Sequence, residues 1–173
     1  KNAAILPFHQ KGDARLLIYA ILILLLVGAD QLTKYLAASY LAPVGTAPFL
    51  PGIMELRYVE NDGMAFSMLS GRQTLLIVVT GITLAALVWY LFFKRPQVRA
   101  ERVAVCLIIA GGLGNLIDRV TAGRGIDFFA TTFIDFAVFN VADCFVCIGG
   151  ALWVLAVLLA ERKNKKGQAN GGA

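Results

Sequence analysis

Four long apolar tracts constrain the fold of this chain more than any other feature of its sequence. Hydrophobic residues make up 58% of the chain, well above the roughly 45–50% of soluble domains. A membrane-spanning helix needs about 20 mostly apolar residues, and each tract reaches or approaches that length. The sequence therefore predicts an all-α membrane protein with four transmembrane helices, at about residues 16–42, 73–93, 103–118 and 137–160.

Basic residues cluster in alternate connections between these tracts, at residues 1–15, 94–102 and 162–166. Because short loops rich in lysine and arginine stay in the cytoplasm, both termini and the middle loop are predicted to be cytoplasmic. Residues 39–72 and 119–135 then lie outside. The net charge of +5 is thus explained by membrane orientation, and no nucleic-acid partner is expected.

The chain is predicted to form one domain followed by a short tail. Residues 1–162 contain the four tracts and their connections, whereas residues 163–173 read KNKKGQANGGA, a polar composition typical of a disordered cytoplasmic end. The first tract follows a basic leader, as the apolar part of a cleavable signal peptide would. However, Asp30 and Lys34 continue its helical pattern without a small-residue cleavage site, so we expect a retained helix.

Polar residues interrupt three of the tracts near one end. A charged side chain inside a spanning helix is costly, so by default it faces the bundle interior and marks a functional site. At about 1.5 Å per residue, Asp30 lies about 22 Å from the basic leader and Asp143 about 26 Å from the end of the fourth tract. Both positions are near the outer boundary of a hydrocarbon core of about 30 Å. Helical spacing forms three polar edges: Asp30 with Lys34; Asn115, Asp118 and Arg119; and Asn140 with Asp143.

The segments around this layer also have specialised backbones. The stretch LRYVENDGMAF, residues 56–66, is typical of a strand, a turn at Asn61 to Gly63 and an apolar return. It predicts a small extracytoplasmic β-rich region over the helix ends. The GGLGN run, residues 111–115, favours close approach of a neighbouring helix or a ligand.

Cysteine and histidine usage restricts the possible chemistry. Cys106, Cys144 and Cys147 all lie in apolar tracts, and we predict that they are packing residues. The only histidine, His9, lies in the leader, which argues against a histidine-activated nucleophile or a histidine-rich metal site. We therefore expect neither a metal nor a cofactor.

Carboxylates and amides are the remaining candidates for catalysis. Two carboxyl groups held close together cannot both ionise, so one can act as the acid and the other as the base that activates a water. Four outer-side acids compete for these roles, and composition does not choose among them: Asp118, Asp127, Asp135 and Asp143. The alternatives are a small transporter or proton-relay subunit and a non-catalytic scaffold. Transporter sites usually lie near the midplane of a repeated fold, which this sequence does not resemble.

Five blocks in order resemble one known family: DQLTK (30–34), NDGMAF (61–66), GGLGNLIDR (111–119), GIDF (125–128) and FNVAD (139–143). The sequence is similar to the bacterial lipoprotein signal peptidases, or signal peptidase II. These are intramembrane aspartyl endopeptidases of the bacterial inner membrane. The resemblance implies removal of the signal peptide from diacylglyceryl-modified prolipoproteins by cleavage just before the lipidated cysteine. It also implies an active site near the outer face, contact with membrane lipids, and a monomer.

The resemblance further implies roles for individual residues. The catalytic aspartates correspond to Asp127 and Asp143. Arg119 is expected to hold a backbone carbonyl of the substrate, and Asn140 to orient a carbonyl or a carboxylate. Asp118 is expected to pair with Arg119 or a neighbouring helix end, whereas Asp135 matches no motif. The supporting set comprises Asp30, Lys34, Asn61, Gly63, Asn115, Asp118, Arg119 and Asn140.

Three positions depart from the family pattern. Gly125 stands where valine is usual, and Asp62 and Met64 replace the usual threonine and alanine of the outer-loop motif. All three lie in the loop regions, so they bear on loop conformation and substrate preference. The two predicted catalytic aspartates are unaffected.

Overall fold

Four helices dominate the structure, a computed structural model that describes residues 8–63, 69 and 71–170, with side chains between residues 16 and 162 of these. Met64 of the outer-loop motif lies outside the described residues. The four helices are long and apolar enough to cross a membrane, which confirms the predicted fold class. They are α1 (Phe8–Leu36), α2 (Gln73–Trp89), α3 (Arg99–Thr121) and α4 (Val141–Asn170).

The helices extend beyond the apolar tracts. α1 begins at Phe8, inside the basic leader, and continues past Leu36 as a π-helical turn at Ala37–Leu41. α2 likewise continues as a π-helical turn at Tyr90–Lys94. α4 runs to Asn170, so most of the segment predicted as a disordered tail is helical. Lysine, arginine, glutamate and glutamine favour helices almost as strongly as leucine, and hydropathy alone does not register their contribution.

α3 lies at the centre of the bundle and packs against each of the other three helices. Its glycines allow close contact: Gly111 lies against the Ala142 carbonyl of α4, and Gly114 leaves room for the carboxylate of Asp30 on α1. This packing brings the polar edges of α1, α3 and α4 together. The neighbouring core is apolar and comprises Ile23, Leu84, Leu91, Val105, Cys106, Ile109 and Ala110.

A small antiparallel sheet covers the polar end of the bundle. Its strands are β1 (Thr46–Leu50), β2 (Met54–Asn61) and β3 (Gly125–Thr131), in the order β1-β2-β3. β2 contains the strand predicted from the outer-loop motif. β1 and β3 were not predicted as strands. β1 pairs with β2 across a short connection, whereas β3 pairs with β2 across the intervening α2 and α3.

The sheet is fixed to the bundle by apolar contacts. Phe128 of β3 packs against Ala37 and Leu41 at the end of α1. In the β2–β3 register, Val59 lies opposite Asp127 and Asn61 lies opposite Gly125. The ends of β2 and β3 therefore carry Asn61 and Asp127 to the polar edges of the helices.

Candidate active site

Asp127 reaches the site from near the start of β3, as the third residue of that strand. It is 5% exposed, and both of its carboxyl oxygens accept hydrogen bonds from amides. Asn61 Nδ2 donates to Oδ2 at 3.0 Å, and Asn140 Nδ2 donates to Oδ1 at 2.7 Å. Burial raises the pKa of Asp127 above the usual aspartate value, and the neighbouring Asp143 raises it further, while the Asn61 hydrogen bond acts in the opposite direction.

Asp143 is placed by the capping geometry of α4. Asn140 precedes the first residue of the helix, and its Oδ1 accepts a hydrogen bond from the Asp143 N–H at 2.9 Å. In return, the Asn140 N–H donates to Asp143 Oδ2 at 3.0 Å. This reciprocal pair is the geometry of a capping box, and it holds the carboxylate in the first helical turn, where the helix dipole favours negative charge. Asn115 Nδ2 donates to the other oxygen, Oδ1, at 2.8 Å.

Asn140 joins the two aspartates directly. Its side chain donates to Asp127 and its backbone donates to Asp143, and it is 1% exposed. The structure therefore brings together the two carboxyl groups that the resemblance implies as a pair.

Arg119 connects α3 to the turn after β2. One guanidinium nitrogen donates to the Asn115 carbonyl at 3.0 Å, and the other terminal nitrogen donates to the Gly63 carbonyl at 2.9 Å. The Gly63 N–H donates in turn to Asn61 Oδ1 at 2.9 Å. Arg119 thus holds a backbone carbonyl of its own chain, and this contact fixes the turn that presents Asn61 to Asp127.

A buried ionic cluster lies behind these residues. Lys34 Nζ contacts Asp30 Oδ2 at 2.9 Å and Asp118 Oδ2 at 2.6 Å. Asp30 Oδ1 also accepts the N–H of Ala142 at 2.9 Å, which ties α1 to the start of α4. The predicted Asp30–Lys34 pair is present, and Asp118 pairs with Lys34 of the neighbouring helix and not with Arg119.

Sequence reasoning missed Gln31 and left Asp135 without a role. Gln31 Nε2 donates to Asp118 Oδ1 at 2.9 Å and to the Gly114 carbonyl at 3.2 Å, so it links α1 to α3 within the ionic cluster. The sequence feature that could have identified Gln31 is its position next to Asp30, inside an apolar tract. Asp135 is exposed in the segment after β3.

A cavity of about 730 Å³ opens beside the aspartates, between α2, α3 and α4. Its polar end contains Asp127, Asp143 and Arg119, and the rest of its wall is mostly apolar. Cys144 and Cys147 also line it, so of the three cysteines predicted to pack in the interior only Cys106 is fully buried. The apolar wall includes Leu75, Leu76, Val79, Leu84, Leu87, Ile108 and Val146.

Metal ligation is not a feature of the described side chains. Within the part of the chain that the structure describes, no three histidine, cysteine, aspartate or glutamate residues group as ligands. The arrangement instead joins a carboxyl pair to amide donors, a guanidinium and an apolar cavity. This combination can bind a largely apolar substrate and activate water beside it.

Comparison with known proteins agrees with this geometry. The family model described as signal peptidase (SPase) II matches residues 22–159. The chain belongs to the signal peptidase II family. Lipoprotein signal peptidases of Streptococcus pyogenes serotype M5 (strain Manfredo) and serotype M18 (strain MGAS8232) are each 38% identical over 145 residues, covering 83% of this chain and 95% of the relative.

Two solved bacterial membrane enzymes share the fold of this signal peptidase II chain. One superposes with a TM-score of 0.76 at 33% identity, covering 86% of this chain and 91% of the other. The second has a TM-score of 0.74 at 34% identity, with coverages of 82% and 92%. The chain is therefore a peptidase and a multi-pass membrane protein, and the transporter alternative is not favoured.

Proposed function

We propose that this chain is an intramembrane aspartyl endopeptidase that removes the signal peptide from lipid-modified prolipoproteins. The observation that carries the proposal is the pairing of Asp127 and Asp143 through Asn140 at the polar end of an apolar cavity. The similar streptococcal proteins are named lipoprotein signal peptidases, which supports the substrate class.

The two aspartates share one proton and work as a unit. Because burial raises the pKa of Asp127, we assign the shared proton to Asp127 and the activation of water to Asp143. Asp143 takes a proton from the attacking water while Asp127 donates its proton to the scissile carbonyl oxygen. When the tetrahedral intermediate collapses, Asp143 passes its proton to the amide nitrogen, which leaves as the amine, and Asp127 takes back a proton from the hydroxyl that becomes the new carboxyl oxygen.

The cavity suggests how the substrate lies. Its apolar wall along α2 suits the acyl chains of a diacylglyceryl group and the apolar part of a signal peptide. The scissile bond, just before the lipidated cysteine, would then lie against Asp127 and Asp143. Arg119 would hold a substrate carbonyl in place of the Gly63 carbonyl that it now contacts.

The proposed location follows from the charge pattern. With both termini in the cytoplasm, the polar end of the cavity faces the outer side of the inner membrane, where the lipidated cysteine is presented. In keeping with the family resemblance, we propose a monomer surrounded by membrane lipids.

Asparagine substitutions test the aspartyl pair. Asp127→Asn and Asp143→Asn keep the side-chain shape but cannot share the proton, so each is expected to lower the cleavage rate by at least about 1,000-fold, and the double variant should be little worse than either. The measurement is the initial rate of cleavage of a diacylglyceryl-modified prolipoprotein by purified, folded protein. Asp135→Asn is the matched control and is expected to keep nearly the wild-type cleavage rate.

The same series includes the test of the competing pair. Asp118→Asn is expected to have an intermediate rate, because Asp118 contacts Lys34 in the ionic cluster. Substantial cleavage by Asp127→Asn together with none by Asp118→Asn would assign the role of acid to Asp118 and overturn the proposed pair.

A further inference from the structure

Lys34 is buried in α1, yet a short series of hydrogen bonds connects it to both aspartates of the proposed pair. It is 2% exposed, and its ammonium contacts three acceptors: Asp30 Oδ2 at 2.9 Å, Asp118 Oδ2 at 2.6 Å and Asn115 Oδ1 at 3.0 Å. A lysine ammonium has three N–H donors and no acceptor. Two donors therefore serve the carboxylates, and the third is available for Asn115.

The contact with Lys34 fixes the orientation of the Asn115 amide. The atom that faces an ammonium must be an acceptor, so it is the carbonyl oxygen of Asn115 and not its nitrogen. The same oxygen accepts a second hydrogen bond, from Asn140 Nδ2 at 3.1 Å. The NH₂ group of Asn115 must then point the other way, and it donates to Asp143 Oδ1 at 2.8 Å.

The orientation of Asn140 agrees with that of Asn115. Asn115 presents an oxygen, and Asn140 presents its NH₂ group to it, as well as to Asp127 Oδ1 at 2.7 Å and to the Ile126 carbonyl at 3.2 Å. The Asn140 oxygen then accepts the N–H of Asp143 at 2.9 Å. The directions of these hydrogen bonds are thus consistent from Lys34 to both aspartates.

We propose that Lys34 is a positioning residue for the aspartyl pair, acting through the amide of Asn115. By holding the Asn115 oxygen, it directs the Asn115 NH₂ group at Asp143 and keeps that oxygen in place as an acceptor for the Asn140 NH₂ group, which donates to Asp127. The proposal rests on the proposed catalytic function of Asp127 and Asp143. It assigns to Lys34 a role in turnover that is separate from its ion pairs with Asp30 and Asp118.

A double-mutant cycle tests this assignment. Lys34→Met keeps the aliphatic stem without the ammonium and is expected to lower kcat about 10- to 100-fold, with KM changed less than about threefold. Asn115→Ala is expected to lower kcat at least as much. Because Lys34 acts through Asn115, the double variant Lys34→Met/Asn115→Ala should have the kcat of Asn115→Ala alone.

Two further variants separate positioning from folding. Lys34→Met leaves the carboxylates of Asp30 and Asp118 without their shared cation, so Lys34→Met/Asp118→Asn removes one of those charges and favours a folded protein. Gln31→Leu is the matched control, since Gln31 belongs to the same cluster but its side-chain amide donates to Asp30, Gly114 and Asp118 and not to Asn115. It is expected to lower the melting temperature while kcat stays within about threefold of wild type.

The outcomes distinguish this inference from the proposed function. If Asp127→Asn and Asp143→Asn retain activity, the aspartyl pair itself is wrong. If those variants are inactive but folded Lys34→Met keeps its kcat, or if the effects of Lys34→Met and Asn115→Ala multiply in the double variant, positioning through Asn115 is overturned. Failure of both Lys34 variants to fold would also overturn it, because Lys34 would then be required for the fold.

Discussion

At the scale of single residues, Asn140 combines helix capping with the organisation of the site. An asparagine before a helix normally satisfies a free N–H of the first turn. Here the N–H that it satisfies belongs to Asp143, and the remaining NH₂ group of Asn140 donates to Asp127. An ordinary start to a membrane helix therefore fixes the relative positions of the two carboxyl groups.

Substitution of Asn140 should separate its two roles. Serine is a good N-cap and alanine a poor one, with a difference of about 1 kcal/mol. Asn140→Ser is therefore expected to melt at a higher temperature than Asn140→Ala. Neither variant can donate to Asp127 as the amide does, so both should lose at least about 100-fold in kcat, a loss typical of an oriented active-site donor. Thermal unfolding and single-turnover cleavage measure the two effects, and wild-type kcat in Asn140→Ser would contradict this account.

The hydrogen bond from Asn61 predicts a change in pH dependence. This bond stabilises the ionised form of Asp127 and lowers its pKa, against the larger effect of burial. Without it, the pKa of Asp127 rises further, so the acid keeps its proton to a higher pH. Asn61→Leu is expected to shift the alkaline limb of the kcat/KM profile to higher pH while lowering the maximum rate. A shift of the acidic limb to higher pH, with the alkaline limb unchanged, would show that Asp127 is the ionised base and not the protonated partner.

At the scale of elements, the apolar tracts predicted the four helices because burial in lipid requires long, internally hydrogen-bonded segments. The strands were harder to predict. β2 and β3 pair across an intervening stretch that contains both α2 and α3, and nothing local in GIDFFAT specifies that partner. The sequence thus indicated a strand from residue 56 to the turn at Asn61, whereas the position of Asp127 beside Asn61 depends on tertiary contacts.

Adjacent glycines in α4 provide a matched test of the α3–α4 contact. A Cβ on Gly149 would lie 2.8 Å from the Ala104 carbonyl oxygen, whereas a Cβ on Gly150 would meet nothing within 4 Å. Gly149→Ala forces the helices apart and is expected to cost about 1–3 kcal/mol. Gly150→Ala should be neutral or slightly stabilising, because alanine favours a helix over glycine. Thermal unfolding in the same detergent compares them, and equal melting temperatures would contradict the close packing.

At the scale of the whole molecule, the basic residues in alternate loops predict that the polar residues of the helices lie in one layer. They do not predict which of the acids in that layer are catalytic. Composition leaves four outer-side aspartates as candidates for catalysis, and the family resemblance identifies Asp127 and Asp143 among them. The structure supplies a physical reason for their proximity, since β3 carries one and the cap of α4 carries the other. Gln31 was missed because a single neutral residue adds little to either hydropathy or charge, although it connects two helices.

The orientation of the molecule can be tested with cysteine labelling. A background in which Cys106, Cys144 and Cys147 are replaced by alanine should keep activity within a few-fold, because the proposed chemistry uses no thiolate. Single cysteines are then placed at two exposed positions, Gln97 in the basic middle loop and Asp135 after β3.

Because basic loops remain in the cytoplasm, a membrane-impermeant maleimide added to intact spheroplasts should label Asp135→Cys and not Gln97→Cys. Both should be labelled after the membrane is opened by detergent, which controls for accessibility. The reverse pattern in intact spheroplasts would place the carboxyl pair at the cytoplasmic face. A signal peptidase that acts on exported, lipid-anchored precursors could not then meet its scissile bond, so the proposed substrate geometry depends on this result.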